Sequence, residues 1–183
     1  MPVKERTVTQ KAERLAALYN MVPNLFWSLV NLAPAVYYFY LHLPLTWLWI
    51  VIPAYLFPSF FPAILLDRLS AGNSRHWYQQ LGVHLILEYV QQGRLINRMV
   101  RNRYPAYRIV YDKTTIRRKI KETYVFERFH LGLLLAFLPL TGHALWNAHW
   151  LWVVVLLLCN FLYNVYPVLL QQYVRLRLRR LLQ

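Results

Sequence analysis

Glu127 and His130 lie three residues apart, a spacing that brings two side chains together on one face of a helix. A carboxylate so placed can hold one imidazole nitrogen and fix the tautomer, and a His held that way can take a proton from a hydroxyl as a general base. Glu122 supplies a second carboxylate just upstream. A His–Glu pair of this kind serves equally well as a structural hydrogen bond, and the spacing alone leaves both uses open. Further along, Asn160, Asn164, Pro167 and Gln171 follow helical spacing, and Arg175 continues the stripe. Polar side chains among apolar neighbours need internal partners, so this stripe should face other helices, either as interhelical glue or as part of a site.

Other chemistries lack residues. No histidine is followed five positions later by Asp, a spacing common in acyltransferases. H-E-x-x-H is absent, His84 with Glu88 makes only two metal ligands, and there is no Gly-rich phosphate loop. No metal is expected, nor any cofactor held by the protein. The single cysteine, Cys159, excludes a disulfide within the chain and reads as a small packing residue.

The elements that must position these residues are written in the charge map. All 21 Lys and Arg fall in three stretches: up to Arg14, Asp67–Arg128, and from Arg175 onward. Met21–Leu66 and Phe129–Val174 contain no charged residue. A helix crossing a bilayer needs roughly 20 apolar residues, so each block is long enough for two passes. Each also contains a place to turn, at Leu41–Thr46 and at Thr141–Ala144. The expected fold is therefore an all-α integral membrane protein with four transmembrane helices in two hairpins. Its single membrane domain, 1–183, divides into a cytoplasmic N-terminal segment (1–20), a first hairpin (21–66), a basic segment (67–128), a second hairpin (129–174) and a basic tail (175–183).

Every basic residue then lies on one face, which the positive-inside rule makes cytoplasmic, with both termini there. Tyr37, Tyr38, Tyr40, Trp47, Trp49, Trp146, Trp150 and Trp152 flank the two outer turns, where amphipathic rings favour the headgroup level. Met1–Ala17 is too polar for a cleavable signal peptide, so insertion would use the passes themselves. The localisation expected is a bacterial inner membrane. Topology accounts for the net charge of +14, and with no groove-reading motif nucleic-acid binding is not expected.

The segment 67–128 carries 13 basic and 5 acidic residues and should lie near anionic lipid headgroups. Trp77, Leu81, Leu85 and Tyr89, then Ile96 and Val100, recur at helical spacing and predict an interfacial amphipathic helix interrupted near Gly93. Tyr107–Tyr111 could be a short extended piece. Asp112-Lys113-Thr114-Thr115 offers capping side chains for a helix running through Ile116, Ile120 and Tyr124 into the third pass. Phe61-Pro62-Ala63-Ile64-Leu65-Leu66 and Tyr166-Pro167-Val168-Leu169-Leu170 share an aromatic-Pro-x-x-Leu pattern at the ends of the two halves.

Glu122-Thr123, Glu127-x-x-His130, the apolar hairpin, Asn164-Val165 and Leu170-Gln171-x-Tyr173-x-Arg175-x-Arg177-Leu178 resemble the C-terminal half of the staphylococcal glycosyl-diaponeurosporenoate acyltransferase family, over roughly 121–182. The chain departs from that pattern at Gln172 and Val174. Members are small membrane proteins whose named activity is transfer of a fatty acyl group to the sugar of a glycosylated carotenoid. The resemblance implies His130, Glu127 and Glu122 as catalytic residues and Asn164, Gln171, Tyr173, Arg175 and Arg177 as substrate-binding residues. It implies acyl-CoA or an acyl-carrier protein as donor and a carotenoid glycoside or glycolipid as acceptor. The competing reading is a non-catalytic four-pass subunit of a larger membrane complex, in which the polar stripe is helix glue and the basic segment a lipid anchor.

Overall fold

The structure is a computed structural model describing residues 3–72, 74–83, 94–105, 107 and 112–183. All regular elements among these residues are helical. α1 runs from Val3 to His42, and a 3-10 turn at Leu45–Trp47 leads into α2, Leu48–Leu56. The first turn thus falls where the sequence places it. The return segment is not one continuous helix. Pro53 is accommodated inside α2, but Pro58 and Pro62 break the segment, giving a 3-10 turn at Phe57–Phe60 and then the short α3, Ala63–Arg68.

α4 is Arg75–Gln80 and α5 is Arg94–Arg103. The expected amphipathic helix is only partly visible here, because Leu85, Tyr89 and Gly93, like His84, Glu88 and residues 108–111, lie outside the described residues. Ile96 and Val100 of α5 do not face a lipid surface: they are buried with Tyr107 against Ala12 and Ala16 of α1. Two alanines on one face of α1 let the second helix approach closely. In α4, Tyr78 is the fully buried ring, while Trp77 stays partly exposed.

α6 spans Lys113–Trp146 without interruption. The Thr115 backbone N–H donates to Asp112 Oδ1 at 2.7 Å, the cap expected from the sequence. That bond, with the Thr115 hydroxyl, holds the exposed Asp112 carboxyl below its ordinary value. The cap therefore stabilises the helix above the carboxyl's unfolded-state pKa and is lost as pH falls through the lower folded value. The turn expected at Thr141–Ala144 is absent, since α6 continues through it. The chain reverses at Asn147–His149, where Ala148 adopts a left-handed φ of 54°. One isolated Gly142 is too weak a breaker to stop a helix whose Phe137, Leu140 and Ala144 are buried.

α7, Trp150–Asn160, passes through a π turn at Phe161–Val165 into α8, Tyr166–Arg180. α6 and the rod Trp150–Arg180 are each long and apolar enough to cross a membrane. α6 lies at the centre: α8, α2 and α7 all pack on it, while α1 leans chiefly on α7 and α5. At one end Ala35 and Tyr38 of α1 meet Phe137, Leu140 and Ala144 of α6 and Leu156 of α7. The Tyr38 hydroxyl lies 2.8 Å from His143 Nδ1 and 3.3 Å from His149 Nδ1, tying α1 to the second hairpin.

α2 approaches α6 at Gly132, where a Cβ would stand 2.3 Å from the Tyr55 carbonyl oxygen. Because that obstacle is backbone, Gly132→Ala should push α2 outward and destabilise the fold by about 1–3 kcal/mol. Thermal melting of the purified protein in detergent should show the lower midpoint, and an unchanged midpoint would mean the contact is not close.

Candidate functional site

Asp67 and Arg175 are the first charges after the two apolar blocks and Glu127 lies just before the second, and the fold brings these three together. Glu127 is fully buried on α6 and Arg175 is 2% exposed on α8. Arg175 Nη1 donates to Glu127 Oε2, and its Nε stands 3.2 Å from Asp67 Oδ1. The guanidinium also lies over the Tyr124 ring, 4.3 Å from its centre. Gln172 Nε2 donates to Glu127 Oε1 at 2.7 Å. One turn further along α8, Arg179 donates to Asp67 Oδ2 at 2.7 Å and to the Tyr124 hydroxyl at 2.6 Å.

Two guanidinium and two carboxylate groups therefore share one site, formed by the middle of α6, the end of α3 and the last turns of α8. Of the four, Glu127 and Arg175 are buried, and an opposite charge with both carboxylate oxygens bonded is what burial of Glu127 requires; Asp67 and Arg179 remain partly exposed. Tyr124 donates to both oxygens of Asp67 at 2.9 Å. Burial raises its phenol above the ordinary value and the bond to the carboxylate raises it further, so the hydroxyl keeps its proton at neutral pH. The network extends into the basic segment, where Gln172 Oε1 accepts from the Ala71 backbone N–H and from Tyr78, each at 3.1 Å.

Glu127 accordingly does not hold His130. Both of its oxygens are taken by α8, although three-residue spacing does bring the two side chains to one face. His130 instead meets the Tyr163 ring at 5.5 Å, and its imidazole faces the Asn164 side chain and the Tyr163 backbone. Asn164 is fully buried and donates from Nδ2 to Asn160 Oδ1 at 2.9 Å; Asn160 in turn donates to the Leu134 carbonyl at 3.3 Å. His130 Nδ1 and Asn164 Oδ1 are buried without hydrogen-bond partners among the described residues.

Of the remaining candidates, Glu122 lies apart, bonded to Lys119 at 2.7 Å on the α6 surface. Tyr173 is buried beside Tyr78, with ring centres 6.0 Å apart. Arg177 is exposed and its guanidinium lies 5.8 Å from the centre of the Tyr173 ring. Gln171 is half-buried outside the network, which takes Gln172 instead. The π turn explains the change. It inserts one residue into the rod, so the face carrying Asn160 and Asn164 continues through Val168, Gln172, Arg175 and Arg179. A straight helix would have carried it to Gln171.

Sequence reasoning also missed Asp67, Tyr78, Tyr124 and Arg179. Asp67 had a signal, being the first charge after an apolar block, but nothing local tied it to residues more than a hundred positions away. Among the described residues no group of three or more His, Cys, Asp or Glu is arranged to hold a metal.

These features define a class: an all-α protein with membrane-length helices and a buried charge network where its second hairpin ends. The model of the CrtO family, glycosyl-4,4'-diaponeurosporenoate acyltransferase, matches residues 62–183, two thirds of the chain. The chain belongs to this family. The match extends well upstream of the residues that suggested it and contains every member of the charge network, while α1 lies outside it. No curated protein and no solved structure matches the chain.

Removing Arg175 would leave Glu127 buried without its cation, at a cost of about 3–5 kcal/mol. Arg175→Met should therefore abolish accumulation of folded protein, whereas Arg177→Ala should leave it near the wild-type level. The π turn adds a finer expectation: Gln172→Ala lowers the melting midpoint and Gln171→Ala does not. Fluorescence-detected size exclusion with a melting curve measures all four variants, and equal effects at 171 and 172 would contradict the shifted register.

Proposed function

We propose that the chain is a four-pass membrane O-acyltransferase that moves a fatty acyl group onto a sugar hydroxyl of a glycosylated carotenoid or related glycolipid at the cytoplasmic interface. α1 and the α2–α3 segment would supply two passes and α6 with the α7–α8 rod the other two. The absence of charge from Met21–Leu66 supports the first pair, although α2 is short. The basic segment and tail then meet anionic headgroups, in a bacterial inner membrane. Family membership supports the reaction class, and one local observation carries the site: His130 Nδ1 and Asn164 Oδ1, both buried and both lacking a donor.

An amide oxygen can only accept, and the unprotonated nitrogen of a neutral imidazole can only accept. Two such atoms suit a ligand that brings O–H donors into an apolar wall, as a sugar does at the head of a long polyene. His130 would take the proton from the bound hydroxyl as its oxygen attacks the acyl carbonyl. The new C–O bond forms, the C–S bond of a thioester donor breaks, and the imidazolium returns its proton to the departing thiolate. Acyl-CoA or an acyl-carrier protein would supply that thioester. Arg175 is committed to Glu127 and Asp67, which leaves the exposed Arg177 as the motif cation able to meet a donor phosphate. In this reading Glu127, Tyr124, Asp67 and Gln172 hold the two helices in place and leave the proton transfer to His130.

A general base contributes about 10²–10⁴-fold, so His130→Gln should lower acylated product at least a hundredfold at an unchanged protein level. Lipid mass spectrometry of membranes from cells carrying wild-type or variant chain measures this. An unchanged lipid profile with His130→Gln would exclude His130 as the base, and the same profile in cells lacking the chain would favour the non-catalytic subunit.

A further inference from the structure

α6 and the rod Trp150–Arg180 run antiparallel, and two hydrogen bonds fix their register: Asn160 reaches Leu134, and Gln172 reaches Glu127. One turn back from Leu134 along α6 is His130, and one turn forward from Asn160 along the rod is Asn164. These two therefore stand at the same level between the helices, where the Tyr163 ring of the rod meets the His130 imidazole at 5.5 Å.

The hydrogen bonds joining the two levels run in one direction. The Leu134 carbonyl can only accept, so the end of the Asn160 amide that faces it, 3.3 Å away, is Nδ2. The Asn160 oxygen is thereby turned to the next turn of the rod, where it accepts from Asn164 Nδ2 at 2.9 Å. Asn164 must then present Oδ1 on its other side, because the reversed amide would set two oxygens against each other. Asn160 is 6% exposed and Asn164 fully buried, so bulk water offers neither amide another partner. A backbone carbonyl on α6 thus decides, two amides away, that the group at the level of His130 is an acceptor.

We propose that Asn160 is a positioning residue: through Asn164 it sets two acceptors at one level, Asn164 Oδ1 and His130 Nδ1, which select an acyl acceptor carrying two neighbouring hydroxyls. A sugar supplies such a pair, and a monohydroxy lipid does not. The hydroxyl held by Asn164 keeps its proton. Its neighbour gives its proton to Nδ1 as its oxygen attacks the thioester carbonyl, and the departing thiolate takes that proton from the imidazolium. An amide oxygen repels a developing oxyanion, so Asn164 holds the acceptor and does not stabilise the tetrahedral intermediate.

The proposal rests on the acyl-transfer reading for its chemistry, and its test reads binding as well as turnover. The full chain in lipid nanodiscs is saturated with radiolabelled glycosyl diaponeurosporenoate and with analogues lacking one sugar hydroxyl at a time, empty discs giving the background. Asn160→Leu and Asn164→Leu should each raise the Kd of the intact glycoside about tenfold, the loss of one hydrogen bond, with little change in KM for the acyl donor. The double variant should bind no more weakly than Asn164→Leu alone, because Asn160 acts through Asn164. One deoxy analogue should bind the wild type about tenfold more weakly than the intact glycoside, and Asn164→Leu should bind the two alike. Additive losses in the double variant overturn the proposal, as does an Asn160→Leu protein that binds like wild type. A wild type indifferent to every deoxy analogue also overturns it, and that result decides even where the variants fail to fold. Selective binding with no ester formed upholds the positioning and removes the acyl-transfer reading, whereas ester formed without selectivity does the reverse. Neither binding nor ester removes both.

Discussion

The rest of the structure depends on the buried pair between Glu127 and Arg175. A carboxylate and a guanidinium removed from water on two apolar helices are stable only together, and their positions fix how far along its axis α8 lies against α6. Asp67 draws the end of the first apolar block to the same point, and Gln172 draws in the Ala71 backbone and Tyr78. One small network therefore joins α6 and α8 to the end of the first apolar block and to the segment between the blocks. His130, one helical turn from Glu127, and Asn164, two turns before Gln172, take their places from it.

Much of this was legible in the residues. Charge-free blocks gave the apolar elements, Asp112 gave the start of α6, and the polar stripe on the last rod was right in its first half, Asn160 and Asn164. In its second half Arg175 keeps its place and Gln171 gives way to Gln172. A π turn carries no side-chain signature that separates it from the α-helix around it, and a count at 3.6 residues per turn runs straight past it to Gln171. The pairing of Glu127 with His130 failed for another reason: spacing along one helix shows which side chains are neighbours, but not that a stronger partner arrives from another helix. The second turn failed because Gly142 interrupts a pattern that is otherwise helical and buried, while the left-handed residue at the real turn is an alanine. Asp67 and Tyr124 could not be joined by any local rule.

The site divides between charged and neutral groups. The ionic groups neutralise one another and secure the helices, and beside them His130 Nδ1 and Asn164 Oδ1 are buried without hydrogen-bond partners among the described residues. Family membership over 62–183 agrees with this division, since the network lies wholly inside the matched region. α1, outside it, reaches the site through Ser28 and Tyr163.

Transfer by the purified chain tests the account most directly. The full-length protein, reconstituted in vesicles of anionic and zwitterionic phospholipid, would be given a glycosylated diaponeurosporenoate with either a fatty acyl-CoA or a fatty acyl-carrier protein, and the lipids read by mass spectrometry. The account predicts a new sugar ester with at least one donor, formed in proportion to protein and turnover. Folded protein that forms no ester with either donor would contradict it.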